Sequence, residues 1–141
     1  SMRGNGERSS EFGFRLDDRS GVPVYRQLID QVLSAVALGT LHAGDQLPTV
    51  RQVAVDLAIN PNTVMRAYRE MEIRGILDTQ QGAGTFVAEP AAEAPKEERA
   101  RQMAQLVSEF VTRGGSLGFT LEELMRALRN LQQGEEPRRR S

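Results

Sequence analysis

A mainly α-helical fold with one small β-hairpin is predicted by three observations. Apolar residues recur at helical spacing in five separate stretches, and two short extended stretches flank the glycine-rich run Gln81-Gly82-Ala83-Gly84. A Pro, Ala and Glu stretch at 89–97 then reads as a linker, leaving two of the helices beyond it.

The first helix is expected over 24–38 (VYRQLIDQVLSAVAL), where Val24, Leu28, Val32 and Val36 repeat at i, i+4 and Ile29 and Leu33 widen the stripe. Gly39 stops it, and Thr40 to Pro48 is a turn-rich connector from which Leu41 and Leu47 can dip into a core. Thr49 stands where an N-cap belongs, ahead of a short helix over 50–58 whose Val50, Val53, Ala54 and Leu57 share one face. Ile59 and Asn60 form a break. Asn60 is a good N-cap and Pro61 occupies the first helical position, where its missing N–H costs nothing, so a third helix should run from 61 to about Gly75.

After Gly75 the period changes, and Ile76–Gln80 with Thr85–Val87 read as the two arms of a hairpin. Beyond the linker, Ala100, Met103, Val107, Phe110 and Val111 form a helical stripe that Gly114-Gly115 should end. Thr120, with Glu123 three residues on, makes a capping box for a last helix bearing Leu121, Leu124, Met125, Leu128 and Leu131. Residues 1–13 are polar and rich in Gly and Ser, so a disordered tail is expected there, with Ser1 before Met2 the remnant of a cleaved tag. Residues 133–141 are expected to be a flexible tail. Three helices and a hairpin over 22–88 is the order of a winged helix-turn-helix, and the turn between its second and third helices is short, as that motif requires.

Composition narrows the function. A chain of 141 residues with a formal net charge of −1 is one domain with an appendage, too short for a catalytic barrel or a doubly wound nucleotide-binding fold. The absence of cysteine removes disulfides and thiolate metal sites. His42, the sole histidine, lies in the connector with no carboxylate cluster beside it and reads as an exposed loop residue. No enzyme is therefore expected, and no metal or nucleotide cofactor. No stretch approaches ~18 apolar residues and no leader segment opens the chain, so a cytoplasmic protein with no membrane partner is expected. The near-neutral charge argues against nucleic-acid binding through bulk positive charge and leaves room only for a local basic face. Seventeen of the eighteen basic residues are arginine, for which genomic base composition is sufficient reason, although arginine also suits bidentate contacts to guanine or phosphate.

Such a face is present on the third helix. At ~100° per residue, Val64, Ala67, Tyr68 and Met71 cluster on one side, while Asn62, Arg66 and Arg69 cluster opposite with Thr63 at their edge. An amide, two guanidiniums and a helix N-terminus can bind DNA, since arginine pairs with guanine, asparagine with adenine, and threonine with a phosphate or a thymine methyl. From these residues alone an ordinary solvated face fits equally well. Arg51 is expected to point outward beside the start of the third helix, and Gly82 and Gly84 permit the positive φ and close approach that a wing entering a minor groove needs. A lone solvated arginine and an ordinary tight turn are the alternatives.

These signals stand in one order. The run Pro23-Val24-Tyr25-x-Gln27-Leu28, then Gly39-x-Leu41-x-x-Gly44-Asp45-x-Leu47-Pro48-Thr49-x-Arg51, then Asn60-Pro61-Asn62-Thr63-Val64-x-Arg66-Ala67-Tyr68, Gly75 and Gly82-x-Gly84-Thr85-Phe86-Val87 closely resembles the GntR family of bacterial transcription regulators. The Asn60–Tyr68 stretch is similar to the YtrA subfamily in particular. The resemblance implies a winged helix-turn-helix repressor that binds double-stranded operator DNA of palindromic sequence as a homodimer, with the third helix as recognition helix. Many other branches carry arginine where Met65 stands, so that base contact does not transfer. The expected DNA-binding set is Thr49, Arg51, Asn60, Asn62, Thr63, Arg66, Arg69, Gly82 and Gly84.

Branches with large effector or aminotransferase-like domains need far more chain than remains, whereas the YtrA-like branch has two short C-terminal helices that are implied to make the dimer, and its members often regulate ABC-transporter genes. Independently, two amphipathic helices cannot bury both stripes in so small an appendage, and a partner copy is the simplest cover, with folding back on the same domain as the alternative. The expected dimerisation segment is 98–132, through Met103, Val107, Phe110, Leu121, Leu124, Met125, Leu128 and Leu131. The sequence names no inducer; if one exists, its pocket belongs at the helical junction or the dimer interface. A winged-helix adaptor that binds protein instead of DNA, and a small hydrolase, are the competing classes.

Overall fold

The computed structural model describes residues 12–134, in the order α1 (Val24–Leu38), α2 (Val50–Leu57), α3 (Pro61–Ile73), β1 (Leu77–Gln80), β2 (Gly84–Val87), α4 (Lys96–Ser116) and α5 (Leu121–Gln132). The chain divides into two units, one through Ala91 and one from Ala92. Residues 1–11 and 135–141, which hold most of the expected disordered start and flexible tail, lie outside the described residues.

In the first unit α1, α2 and α3 enclose a core of Leu28, Ile29, Val32, Ala35, Val53, Ala54, Val64, Ala67, Tyr68 and Met71, closed below by Leu41, Leu47, Leu77 and Val87. The α1 face differs from the expected stripe: Val36 and Leu33 are exposed and Ala35 is buried. At 3.6 residues per turn an i, i+4 row drifts by about 40° per step, so a row begun at Val24 has left the core by Val36. Both caps form as the residue types require. Thr49 accepts the Gln52 N–H while the Gln52 side chain accepts the Thr49 N–H, and the Asn60 side chain accepts the Asn62 N–H at 2.8 Å. Ala58, in the left-handed region at φ 55°, ends α2, so only three residues separate it from α3. The Tyr68 hydroxyl donates to the Pro48 carbonyl at 2.6 Å, and burial pushes its pKa up.

The hairpin pairs Leu77 with Val87 and Gln80 with Gly84. The connector takes a part in it that its turn-rich composition does not signal. The Leu47 N–H donates to the Thr85 carbonyl, the Val87 N–H donates to the Asp45 carbonyl, and Gln46 bridges Phe86, so the wing has a third, very short arm.

The unit also begins earlier than 22. Phe12, Phe14 and Leu16 pack against the core, and Gln27 and Gln31 of α1 bond the backbone of Asp17 and Arg15. The expectation of disorder over 1–13 is therefore corrected at its end, because Phe12 stacks edge-on against Phe14 at 4.8 Å.

In the second unit α4 starts at Lys96, inside the expected linker, and runs through Gly114-Gly115 to Ser116, past the expected stop. Gly114 is there for approach rather than termination: a Cβ on it would stand 2.6 Å from Leu124 Cδ1 of α5. Gly114 thus lets α5 fold back against α4, and the turn closes as the Phe119 N–H reaches the Gly114 carbonyl at 2.9 Å. Thr120 and Glu123 form the capping box that starts α5.

Candidate nucleic-acid interface

Helix α3 is oriented by what it buries. Val64, Ala67 and Met71 are fully enclosed and Tyr68 nearly so, which turns Asn62, Arg66 and Arg69 to solvent with Thr63 half-buried at the edge. None of Arg51, Arg66 and Arg69 has a carboxylate partner among the described residues, so three full positive charges stand unneutralised on one unit of a near-neutral chain. The α3 N-terminus adds partial positive charge at the Asn62 end through the helix dipole. An anion is the natural complement of this surface.

Arg51 shares the wall of a shallow hollow of about 460 Å³ with Pro61, the first residue of α3, and with Val50, Ala54, Val55 and Ile59. That places it beside the start of α3. Thr49 and Asn60 spend their side-chain oxygens on the caps described above, so their contribution to the surface is to fix where α2 and α3 begin.

The wing is anchored at the opposite end of α3, where Thr79 of β1 bonds the Glu72 carboxylate. A thirteen-residue helix is about 20 Å long, so Asn62, Arg66 and Arg69 spread along its outward side rather than converging on a point. That is the form of a surface for an extended ligand. At the wing tip Gly82 has φ 81° and open space around a would-be Cβ, whereas Gly84, at φ 131°, lies so near Gln46 that a Cβ would meet its Nε2 at 2.4 Å. Gln46 Nε2 in turn donates to the Ala83 carbonyl at 3.2 Å, tying the tip to the connector.

Two residues of this surface escape a periodicity reading. Tyr25 of α1 lies under Arg66, the guanidinium carbon 3.8 Å from the ring centroid, and Gln46 braces the wing. Both contacts join segments far apart in sequence, so no local pattern marks them.

Gly82, with open space around it at positive φ, carries a prediction. Gly82→Val is expected to leave the fold intact, since nothing is near enough to clash, while the strained tip lowers DNA affinity by about 5- to 30-fold, the cost of a β-branched residue at positive φ being about 1–2 kcal/mol. Circular dichroism and fluorescence anisotropy with labelled DNA check this, and a Gly82→Val protein that binds like the parent would reduce the tip to a structural turn.

No helix among the described residues is long and apolar enough to cross a membrane, and no group of three potential metal-ligating side chains is found there. Comparison with known proteins places the chain in a family. The family pattern for bacterial regulatory proteins of the gntR family matches residues 24–87. The chain is 37% identical over 116 residues to the uncharacterized HTH-type transcriptional regulator YhcF of Bacillus subtilis, covering 82% of this chain and 95% of that one. It is 34% identical over 110 residues to the HTH-type transcriptional repressor YtrA of the same organism, covering 78% and 85%. A GntR family transcriptional regulator of known structure from Listeria monocytogenes superimposes with a TM-score of 0.55 at 30% identity, over 82% of this chain and 98% of that one. These are regulators of transcription and not enzymes. With the family pattern lying on the three helices and the wing, and the likeness to YhcF and YtrA extending well beyond residues 24–87, the chain belongs to the GntR family of bacterial transcription regulators, in its YtrA-like branch.

Proposed function

We propose that this protein is a cytoplasmic transcriptional repressor that binds a palindromic operator as a homodimer, α3 entering the major groove and the wing following the adjacent backbone or minor groove. The observation that carries the DNA reading is the outward side of α3, where Asn62, Arg66 and Arg69 stand together with no acidic partner above a fully packed core face. Arg51, Thr49, Asn60, Thr63, Gly82 and Gly84 complete the contact surface as direct contacts, caps or turn residues. Repression is supported by the likeness to a protein named as a repressor. Control of an ABC-transporter operon rests on the YtrA-like resemblance alone.

The homodimer is supported by the second unit. Every buried apolar side chain of the described chain lies between Leu28 and Val87, and in α4 and α5 only Gly114 is buried. Met103, Val107, Phe110, Leu121, Met125, Leu128 and Leu131 are each between 38 and 58% exposed, and they repeat at helical spacing. Water is a poor partner for such a stripe. A second two-helix unit of the same kind offers matching stripes and would complete a four-helix arrangement, in which Leu124, half-buried against Gly114, lies nearest the middle of the helix pair.

Selection of bound sequences from a random DNA pool, followed by gel shift on the upstream region of the chain's own operon, tests the reading. Enrichment of a two-fold symmetric site, bound equally well with a chelator present, is expected. Binding without sequence preference would turn the reading towards a protein-interaction adaptor, and a loss of binding on chelation, restored by a divalent ion, would require a metal that no residue cluster described above supplies.

A further inference from the structure

We propose that Tyr25 is a positioning residue for Arg66, holding its guanidinium in the orientation in which the operator base is read; the inference rests on Arg66 being a base-reading residue. The ring lies at the start of α1 and packs partly against the core, so its orientation is set by the rigid α1–α3 contact through Leu28, Val32, Val64 and Ala67. Arg66 is exposed and unpaired with any carboxylate among the described residues, and its guanidinium carbon stands 3.8 Å from the Tyr25 centroid. Arg69, one helical step away, has no such support.

The geometry matters because a guanidinium is planar and keeps all its N–H donors in that plane. Stacked on the ring, it satisfies its face and leaves its edge for a bidentate contact to guanine O6 and N7. An exposed arginine without a platform divides its time among many rotamers, and each binding event must then select one. Stacking of this kind at an exposed site favours the held rotamer by about 2- to 5-fold. The ring face carries the effect and the hydroxyl does not.

Affinities of the full chain for the operator and for each single-base variant are therefore to be measured with Tyr25→Leu, Tyr25→Phe and Arg66→Ala, singly and as Tyr25→Leu/Arg66→Ala. Tyr25→Leu should reduce preference at the base pair read by Arg66 by about 2- to 5-fold and leave other positions unchanged. Tyr25→Phe should restore that preference, and Tyr25→Leu should add nothing once Arg66 is alanine. A ring-current upfield shift of the Arg66 Nε proton in the free protein, kept in Tyr25→Phe and absent in Tyr25→Leu, should accompany it.

A uniform loss across all operator variants, an effect that persists in the Arg66→Ala background, or a Phe variant as impaired as the Leu variant would overturn the proposal. If Arg66→Ala relaxes one base pair while Tyr25→Leu does not, the positioning role alone fails. If Arg66→Ala changes no base preference, the base-reading role fails and the positioning role with it.

Discussion

A fragment ending at Glu89 is expected to be monomeric and to bind a two-half-site operator about 10²- to 10⁴-fold more weakly than the full chain, because the second half-site contact is then no longer intramolecular. The fragment keeps the whole core of the first unit, Leu28 to Val87, so its α3 surface should survive the cut. What it loses is the pair of helices whose large side chains stand exposed, Phe110 at 44% and Leu128 at 50%. Affinity for an isolated half-site should change little. Sedimentation equilibrium and anisotropy titrations on one and two half-sites provide the measurement, and Phe110→Glu with Leu128→Glu in the full chain gives the same test without truncation. A dimeric fragment with full operator affinity would remove α4 and α5 from the dimer and place the interface in the first unit.

Arg66→Ala should cost about 1–3 kcal/mol of operator affinity and relax preference at one base pair per half-site. The residue leaves the α3 surface on the side away from Val64 and Met71, and its guanidinium is already held against Tyr25 with its edge available. Arg51 stands beside the start of α3, a position suited to the sugar–phosphate backbone. Arg51→Ala is accordingly expected to weaken all sequences alike and to lower the slope of log K against log salt by about one. Affinities for single-base operator variants across a salt series separate the two patterns. Uniform weakening by Arg66→Ala would move Arg66 to the phosphates and give base reading to Asn62, Thr63 and Arg51.

The five helices and the hairpin follow from local signals. Asn60-Pro61 starts α3 because the amide caps an N–H and proline needs none, and Thr120 with Glu123 starts α5 by the same economy of orphan donors. The two faces of α3 follow from helical geometry applied to Val64, Ala67, Tyr68 and Met71. Wherever a boundary or an environment depends on neighbours within a turn or two, residue type is sufficient.

Tertiary structure decided the contacts between distant segments. Gly114 looks like a helix stop by type, yet it lies within α4 because Leu124, ten residues on, needs the space its missing side chain leaves. Phe12, in a stretch otherwise polar, is ordered by a core assembled from α1 and α3. Gln46 reaches the wing from a connector that has no strand pattern, and Arg66 finds the Tyr25 ring forty-one residues before it. Local sequence determines which backbone states and which faces are available, because capping, φ preference and periodicity act within a few residues. Which face meets which, and therefore where each arginine of the candidate interface is aimed, is set only when burial of the shared core brings α1, α3 and the wing together.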